Sequence, residues 1–505
     1  MWFLIAAALA CDSTFSDVAS LRAADWSTAA NGSLYCVSAD LDFGGETIEV
    51  TGNISLTYDS LQPVTLSGPH AADGYFHLAA PSAYLDVQGI RFSGTGAGRA
   101  FHVEQGGLSL TNSVLSGHGI SGNVDGGTIL AAIGADRVFL DHVEISGSTT
   151  AGDGGAVTVL GGELTVQSSR FVGNTAGTDG GAILAAGTSA TIANSAFESN
   201  TAGKGGAVSV NAGSLTLTTT VFDENIATSG GGLEADGAGD IEVRSSRFVA
   251  NAASQKGGAI KVKDATLRIA DSVFLDNVGG QDGGAVHHDT AVLDIQRSAF
   301  LRNASPVGAL YSKKPVFDAV TDPGIVDSVF CRETPETTGT AALVELFQVN
   351  DGPFAVRRSL FVDAGSPLPM FLVDTAQQAV ELERNLFVGG PTSIHLDATG
   401  SLVSTSYNAL DGDGTDAHSQ GSSSTCDAVE APATISWTVT DPASVTTWPA
   451  TPPCTPVALA TLVPVDAPLC LSEPVGPVAL PDLDGDGAWG AFDCEPQNGA
   501  VSMLA

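Results

Sequence analysis

The feature that most constrains this chain is a segment that recurs six times between residues 154 and 303, at a spacing of 25–27 residues. Each copy begins with a Gly-Gly pair and ends with a phenylalanine that is followed three residues later by an asparagine. A fixed period of this length is the signature of a solenoid, in which each repeat stacks on the next. The pairs begin at Gly154, Gly180, Gly205, Gly230, Gly257 and Gly283; the phenylalanines are Phe171, Phe197, Phe222, Phe248, Phe274 and Phe300; the asparagines are Asn174, Asn200, Asn225, Asn251, Asn277 and Asn303.

Each period holds three short strands. In the copy that starts at Gly205, apolar and β-branched residues alternate with polar ones over residues 207–210, 215–217 and 221–222, and turn-forming residues separate the three runs. No run offers the helical periodicity that leucine-rich or ankyrin-type repeats would need. Three strands and three turns make one coil of a parallel β-helix, in which successive coils lie about 4.8 Å apart.

Stacking of coils explains which residues recur. Phe222 is predicted to lie between Phe197 and Phe248 in the interior, because a single coil cannot bury its apolar face. The asparagine is expected at a turn with left-handed backbone angles, where its amide can bond the equivalent asparagines above and below. The Gly-Gly pair supplies a positive φ and leaves no side-chain bulk.

Looser copies of the pattern flank the six, for example at residues 90–95 and 384–389. The sequence therefore predicts an all-β protein whose residues 46–420 form a single-stranded, right-handed parallel β-helix, a pectin-lyase-like solenoid. An open first coil would expose a strand edge to aggregation, so residues 11–45 are predicted to cap it. We expect a monomer.

The combination of Gly-Gly-Ala-Ile/Val and Phe-x-x-Asn, as in residues 154–157 and 171–174, resembles the repeats of the chlamydial polymorphic outer membrane proteins. The resemblance is strong across residues 154–303 and loose across about 45–420. It implies a right-handed β-helix at the cell surface that serves in adhesion. Proteins of that family end in an autotransporter β-barrel, and residues 421–505 are expected to be too few to form one.

The start of the chain predicts export. Residues 1–10 form a short apolar run that ends in the small-residue pattern Ala8-Leu9-Ala10 of a signal peptide. Cys11 follows directly, which leaves lipidation of Cys11 and a disulfide with Cys36 open as alternatives. No other run approaches the roughly 20 apolar residues of a membrane span. We expect a location outside the cell or at its surface, associated with the outer membrane.

The charge balance limits the partners. The chain has 20 Lys and Arg residues against 56 Asp and Glu residues, a formal net charge of −36. Such a surface repels nucleic acid and anionic lipid head groups, and it repels polyuronides unless calcium bridges them. The predicted partner is a cell-surface or polysaccharide ligand, and nucleic acid is excluded.

The C-terminal region differs in composition from the repeats. Residues 421–480 are rich in proline and cysteine, which predicts an extended spacer or a small module. Residues 481–496 have EF-hand-like spacing, resemble the calcium loops of dockerins and thrombospondin type 3 repeats, and predict calcium as the cofactor. The alternative is a solvated acidic turn. The predicted ligands are Asp482, Asp484 and Asp486 at loop positions 1, 3 and 5, the carbonyl of Ala488 at position 7 and Asp493 at position 12.

Two histidine stretches are the candidates for catalysis. His118 lies in a Gly-His-Gly motif similar to one of the polygalacturonases, but the paired-Asp and Arg-x-Lys motifs expected with it are missing. His118 is therefore predicted to be an ordinary turn residue. Since adjacent strand residues face opposite sides, only one of His287 and His288 can point outward, and with Asp289 it is predicted to lie on a solvated face. Lysines at the equivalent point of the preceding coil do not suit a metal site.

These patterns favour an exported or cell-surface β-helix repeat protein with an adhesion, interaction or structural role and no catalytic one. The alternative is a carbohydrate-active β-helix enzyme, either a polysaccharide lyase or a hydrolase, because many parallel β-helices cleave acidic polysaccharides. That alternative rests on fold analogy alone.

Overall fold

The computed structural model is all-β, as the repeat predicted, and divides into unit 1, residues 1–203, and unit 2, residues 204–505. Each unit is a parallel β-solenoid; the hand of its coils stays a prediction. The structure describes residues 11–27, 32–59, 63–69, 74–121, 124–237, 239–316, 324–332, 342–349, 354–363, 369–374, 379–383, 385–388, 394–396, 402–406, 409–411 and 418–419.

Unit 1 has 22 described strands and one short helix. They are β1 Ser13–Phe15, α1 Val18–Ala23, β2 Ser33–Val37, β3 Leu41–Asp42, β4 Ile48–Val50, β5 Asn53–Tyr58, β6 Thr65–Ser67, β7 Phe76–Leu78, β8 Tyr84–Gln88, β9 Arg91–Ser93, β10 Phe101–Thr111, β11 Val114–Ser116, β12 Gly119–Ile120, β13 Ile129–Asp141, β14 Glu144–Ser146, β15 Thr149–Thr150, β16 Val157–Val159, β17 Glu163–Gln167, β18 Arg170–Val172, β19 Thr175–Ala176, β20 Ile183–Ala186, β21 Ser189–Ala193 and β22 Ala196–Glu198.

Unit 2 continues with strands alone in its described part. They are β23 Val208–Asn211, β24 Ser214–Thr218, β25 Val221–Asp223, β26 Ile226–Ser229, β27 Leu233–Asp236, β28 Asp240–Arg244, β29 Arg247–Val249, β30 Ala252–Lys256, β31 Ile260–Lys263, β32 Thr266–Ala270, β33 Val273–Leu275, β34 Val278–Gly279, β35 Val286–Ala291, β36 Leu293–Gln296, β37 Ala299–Leu301, β38 Gly308–Pro315, β39 Gly324–Val326, β40 Val329–Arg332, β41 Ala342–Phe347, β42 Phe354–Arg357, β43 Leu360–Asp363, β44 Phe371–Asp374, β45 Ala379–Glu383, β46 Leu386–Val388, β47 Ile394–Leu396, β48 Leu402–Ser406, β49 Ala409–Asp411 and β50 His418–Ser419.

Successive coils repeat one strand order. The strand after the Gly-Gly pair pairs with its equivalent in the next coil, as β31 does with β35. The second strand does the same in β32 and β36, and the third in β33 and β37. All of these pairs are parallel and in register, so each residue lies beside its repeat equivalent. The sequence period therefore sets the register.

The repeated phenylalanines form the predicted interior stack. Within unit 2 the Phe248 and Phe274 ring centroids lie 5.0 Å apart, and those of Phe274 and Phe300 lie 4.6 Å apart, with planes within 5° of parallel. In unit 1, Phe171 and Phe197 stack at 4.9 Å. All five rings have no exposed surface. Burial of one such ring contributes about 1.5–3 kcal/mol, which makes the stack a main source of stability.

The repeated asparagines form the predicted amide ladder. Asn251 Nδ2 donates to Oδ1 of Asn277 at 3.0 Å, and Asn277 Nδ2 donates to Oδ1 of Asn303 at 2.8 Å. The placement of the left-handed backbone angle was wrong by one residue. The residue before the asparagine has the positive φ, for example 50° at Ala250 and 55° at Asp276. The turn there points the asparagine side chain inward, where it also bonds a backbone carbonyl.

The two glycines of a Gly-Gly pair are required for different reasons. Gly257 has a φ of 64°, which is strained for any residue with a Cβ. Gly258 needs no positive φ, but a Cβ on it would lie 2.0 Å from the carbonyl oxygen of Gly284 in the next coil. The second glycine therefore allows two coils to approach at the turn.

The N-terminal region is joined to the sheet. Cys11 and Cys36 form a disulfide with a Cα–Cα distance of 5.8 Å, one of the two alternatives that the sequence left open. Strand β2 pairs in parallel with β5, and the indole of Trp26 donates to the carbonyl of Leu21 at the end of α1. A sulfur in a disulfide cannot also form the thioether of a lipoprotein, so the structure does not support lipidation at Cys11.

Candidate functional site

Lysines are confined to one part of the chain. All six, Lys204, Lys256, Lys261, Lys263, Lys313 and Lys314, fall between residues 204 and 314, within unit 2. The repeat register places most of them on one face. Strands β23, β27, β31, β35 and β38 lie side by side and form that face.

Strand alternation decides which side chains face outward. In β31, Ile260 and Val262 have no exposed surface and belong to the interior, so Lys261 and Lys263 point to the outer side. The same parity holds in the neighbouring coils. We call the resulting surface the lysine face. Its inner column is Ser209, Glu234, Lys261, His287 and Tyr311; its outer column is Asp236, Lys263, Asp289 and Lys313; its rim column, from the segment before each Gly-Gly pair, is Lys204, Ser229, Lys256 and Asp282.

The inner column holds a buried ion pair. Lys261 Nζ lies 2.8 Å from Glu234 Oε1, and their side chains are only 11% and 2% exposed. Ser229 of the rim column donates its hydroxyl to the other oxygen of Glu234. These outward side chains are buried because the Gly-Gly turn folds over them: a Cβ on Gly257 would lie 2.9 Å from Lys261 Cβ.

The outer column alternates in charge from coil to coil. Lys263 Nζ lies 3.9 Å from Asp236 Oδ1 in the preceding coil, and Lys313 Nζ lies 3.9 Å from Asp289 Oδ2. The carboxylates of Asp236, then Asp264, raise the pKa of Lys263. Alternation avoids the repulsion that like charges would feel when stacked at coil spacing.

His287 lies between these columns. Its ring stacks on Tyr311 at a centroid distance of 5.1 Å, and its Nδ1 lies 3.8 Å from Asp282 Oδ2. Burial, followed by the charge of Lys256, lowers the pKa of His287 to about 3, so the ring is neutral at physiological pH. The prediction of a solvated histidine was wrong: the outward histidine is 1% exposed, because the rim column covers it.

His288 points into the core. It has no exposed surface, and its Nδ1 lies 3.1 Å from the hydroxyl of Ser312 in the next coil. Burial lowers its pKa to about 4. His118 lies in the turn between β11 and β12, where the sequence predicted a turn residue; it is fully buried in unit 1, and its ring meets the Tyr75 ring edge-on at 6.0 Å. Neither histidine meets solvent, so neither fits general acid–base work in this conformation.

A shallow depression of about 380 Å³ adjoins the lysine face. It lies between the first and the second strand of each coil, where β27, β31 and β35 end. It spans three coils, with the carboxylates of Asp240 and Asp264 and the hydroxyls of Thr266 and Thr290 in its lining. Asp264 also contacts Lys263, with 3.5 Å between Nζ and Oδ2. The depression and the outer column therefore share one charged surface.

The predicted calcium ligands Asp482, Asp484, Asp486, Ala488 and Asp493 lie outside the described residues, so the site stays a prediction. Within the described ranges, no group of three or more His, Cys, Asp or Glu side chains could hold a metal ion. The same part of the chain contains no helix of the length and apolarity needed to cross a bilayer.

Two features of the fold, a second interior ladder and the lysine face, were not predicted from the sequence. The residue two positions before each repeat phenylalanine, serine in five copies and Thr220 in the sixth, belongs to a second interior ladder, in which the Ser272 amide donates to Ser298 Oγ and the Ser298 amide to Ser328 Oγ, both at 3.2 Å. The second of these features is the lysine face. Both had a signal in the sequence, because their residues recur at fixed offsets from the Gly-Gly pair or the phenylalanine.

These observations define the class of the protein as an all-β parallel β-solenoid of Gly-Gly and Phe-x-x-Asn repeats. The model of the Chlamydia polymorphic membrane protein repeat matches residues 168–186. No curated protein matches the chain.

One solved structure is similar, the A-module of the mannuronan C-5 epimerase AlgE4 of Azotobacter vinelandii. The identity is 14%, the match covers 83% of this chain and 100% of that one, and the TM-score is 0.29. A similarity at this level carries no conclusion about activity.

Proposed function

We propose that this chain is an exported or cell-surface β-helix protein that acts by binding or as a scaffold and has no catalytic role. One observation carries the proposal: the two adjacent histidines and the inner-column lysine, the candidates here for acid–base chemistry, are buried in the fold. His287 and His288 are buried with lowered pKa values, and Lys261 is held by Glu234 in a buried ion pair. A neutral ring with a pKa near 3 or 4 is a poor base at neutral pH.

The polymorphic membrane protein repeat supports a place at the cell surface. It matches at residues 168–186, where the serine, phenylalanine and asparagine positions build the interior. In proteins with such repeats the repeated residues pack in the core, and the stacked coils present a long outer face. The outer face of unit 2, with its charged columns, is where we expect recognition of an adhesion ligand.

Calcium binding at residues 481–496 is part of the proposal and is supported by the spacing of its oxygen ligands. Titration of the full chain with calcium, followed by calorimetry, tests it. We expect one site that is lost in Asp484→Asn/Asp486→Asn. The control is Asp413→Asn, from an acidic segment without the third alternating aspartate. Equal binding by all three proteins would contradict the assignment.

The main experiment combines turnover and binding. The purified full chain is incubated with acidic and neutral polysaccharides, with and without calcium, and new reducing ends and unsaturated products are measured. The same protein is titrated onto intact bacterial and animal cells. We expect no turnover and saturable cell binding. Turnover on any polymer would favour the carbohydrate-active enzyme, and binding that never saturates on any cell would contradict an adhesive role.

A further inference from the structure

We propose that residues 421–505 return along unit 2 and pack across the outer side of its third-strand sheet, where a disulfide from Cys331 fastens them. This sheet is formed by the third strand of each coil, and in unit 2 it includes β29, β33, β37, β40 and β43. We call the outer side of these five strands the third-strand face. It is a different surface from the lysine face, and the inference does not depend on the proposed function.

The third-strand face is apolar and buried, although its side chains point away from the core. The phenylalanine of each strand lies in the interior, so the residues on either side of it point outward. The residues that follow the phenylalanines form one outward column in register and are each at most 5% exposed: Val249, Leu275, Leu301, Cys331 and Val362. Outward side chains reach such burial when another segment of chain lies across them.

Unit 1 shows that a coil by itself leaves these positions partly open. Val172 and Glu198 directly follow Phe171 and Phe197, and both are half-buried. The side chain of Arg170, on the other side of Phe171, is 30% exposed. The repeat has the same spacing in both units, so the turns of the coils do not explain the difference. The deeper burial in unit 2 therefore requires a covering segment.

Two ion pairs between coils locate the cover more closely. Arg332 and Asp363 pair beside Cys331, and their side chains are 7% and 0% exposed. Arg302 and Asp276 pair at the same position relative to the repeated phenylalanines, yet they are 28% and 44% exposed. The covering segment therefore lies close over the coil of Cys331.

The cysteines identify this segment. Cys331 is disulfide-bonded. The chain has seven cysteines, and Cys11 pairs with Cys36. The remaining four all lie within residues 421–505; they are Cys426, Cys454, Cys470 and Cys494. The partner of Cys331 is therefore one of these four, and its bond brings residues 421–505 to the third-strand face.

The length of the chain permits this return. The outward column continues from Cys331 through Val362 and Val388 to Asp411, three coils further on. At about 4.8 Å per coil, this is a distance of about 14 Å along the solenoid. The last described strand ends at Ser419, and Cys426 lies seven residues beyond it. Seven extended residues span about 23 Å, so the first of the four cysteines already has the length to reach back.

The arrangement has a physical reason. An uncovered apolar strip across several coils would promote aggregation. Residues 421–505 supply the cover from the same chain, and the disulfide keeps them in place once the protein has been exported to an oxidising compartment. The third-strand face is then closed to an outside ligand, which leaves the other faces of unit 2 for recognition.

Peptide mapping of the full chain tests the disulfide. The protein is exported to a bacterial periplasm, its free thiols are blocked, and it is digested without reduction for mass spectrometry. We expect a Cys331 peptide linked to a peptide from residues 421–505, and loss of this product in Cys331→Ser. The matched control, Cys11→Ser/Cys36→Ser, should retain it. Recovery of Cys331 as a blocked free thiol, or in a bond between two chains, would overturn the inference.

Photo-crosslinking of the full chain tests what lies on the face. An aliphatic amino acid that carries a diazirine replaces Leu275, and in the control protein it replaces Val172, the same position in unit 1. If circular dichroism shows that the Leu275 protein has lost its strands, Val249 is replaced instead. After irradiation, crosslinked peptides are identified by mass spectrometry.

We expect crosslinks from position 275 to residues 421–505, and none from position 172 to that segment. Three other segments lie between strands of neighbouring coils and are the competing covers within the chain: residues 317–323, 333–341 and 364–368. Crosslinks from position 275 to these segments alone, to a second copy alone, or to no peptide would overturn the inference.

Discussion

Asn251 and Asn277, in neighbouring coils, are joined by two hydrogen bonds that hold the coils in register. The side-chain amide and the backbone amide of Asn251 both donate to Oδ1 of Asn277, each at 3.0 Å. Asn251 Nδ2 also donates to the carbonyl of Phe222 at 2.9 Å. One side chain thereby satisfies polar groups of three coils in an interior that water does not reach.

Asn251→Ala should destabilise the protein strongly. It removes the hydrogen bonds that Asn251 makes with the buried amide of Asn225 and with the carbonyl of Phe222, each at a cost of about 1–3 kcal/mol. Denaturant unfolding measures the effect, and the two groups together give an expected loss of about 2–6 kcal/mol. Thr216→Ala, on the exposed side of β24, is the control and should change the free energy of unfolding by less than about 0.5 kcal/mol. Equal effects would contradict the ladder.

Gly258→Ala should prevent the coils from stacking. The added Cβ would meet the Gly284 carbonyl oxygen at 2.0 Å, a clash with backbone that cannot rotate away. We expect little folded protein, measured as soluble yield and β-sheet circular dichroism. Gly239→Ala is the control, because its Cβ would lie 3.5 Å from the nearest atom, an ordinary contact. A well-folded Gly258→Ala protein would show that the turn can open.

Lys261→Met should cost about 3–5 kcal/mol, because it leaves the Glu234 carboxylate buried and unpaired. The double variant Glu234→Gln/Lys261→Met should recover much of that loss, since it removes both buried charges. Thermal and denaturant unfolding of the wild type, Glu234→Gln, Lys261→Met and the double variant give the coupling between the two residues. Additive losses in the double variant would mean that the pair is solvated.

Acid should weaken unit 2 through His288. In the unfolded chain a histidine has a pKa near 6.5, whereas burial lowers the folded pKa of His288 to about 4. The unfolded state therefore binds a proton first, and stability that is present above pH 6.5 is lost as the pH falls towards 4. The loss reaches about 3 kcal/mol, at 1.36 kcal/mol per pKa unit.

His287 adds to the loss in the same direction. Burial, followed by the charge of Lys256, lowers its folded pKa to about 3, although Asp289 raises it in part. Denaturant midpoints at pH 7, 5 and 4 measure the effect. His288→Leu should flatten the profile, and His142→Gln, on an exposed side chain, should leave it unchanged. A wild-type profile without a fall between pH 6.5 and 4 would contradict the burial of His288.

The sequence by itself determined the class of fold, because a strict period places the same side chain at the same point of every coil. Phe274 between Phe248 and Phe300, and Asn251 beside Asn277, follow from counting residues once the unit is known to be a coil. Such ladders depend on register alone, and register is what a repeat encodes.

Only the tertiary structure decided what covers the outer side. Strand alternation predicted that one histidine points outward, but the segment before the Gly-Gly pair lies across that side and buries His287 against Tyr311. The net charge of the chain did not predict the lysine face either, because a sum over all residues does not show where the charges lie. Lys204 and Lys256 are distant in sequence and share one column, and the folding of the coils makes that local surface unlike the average one.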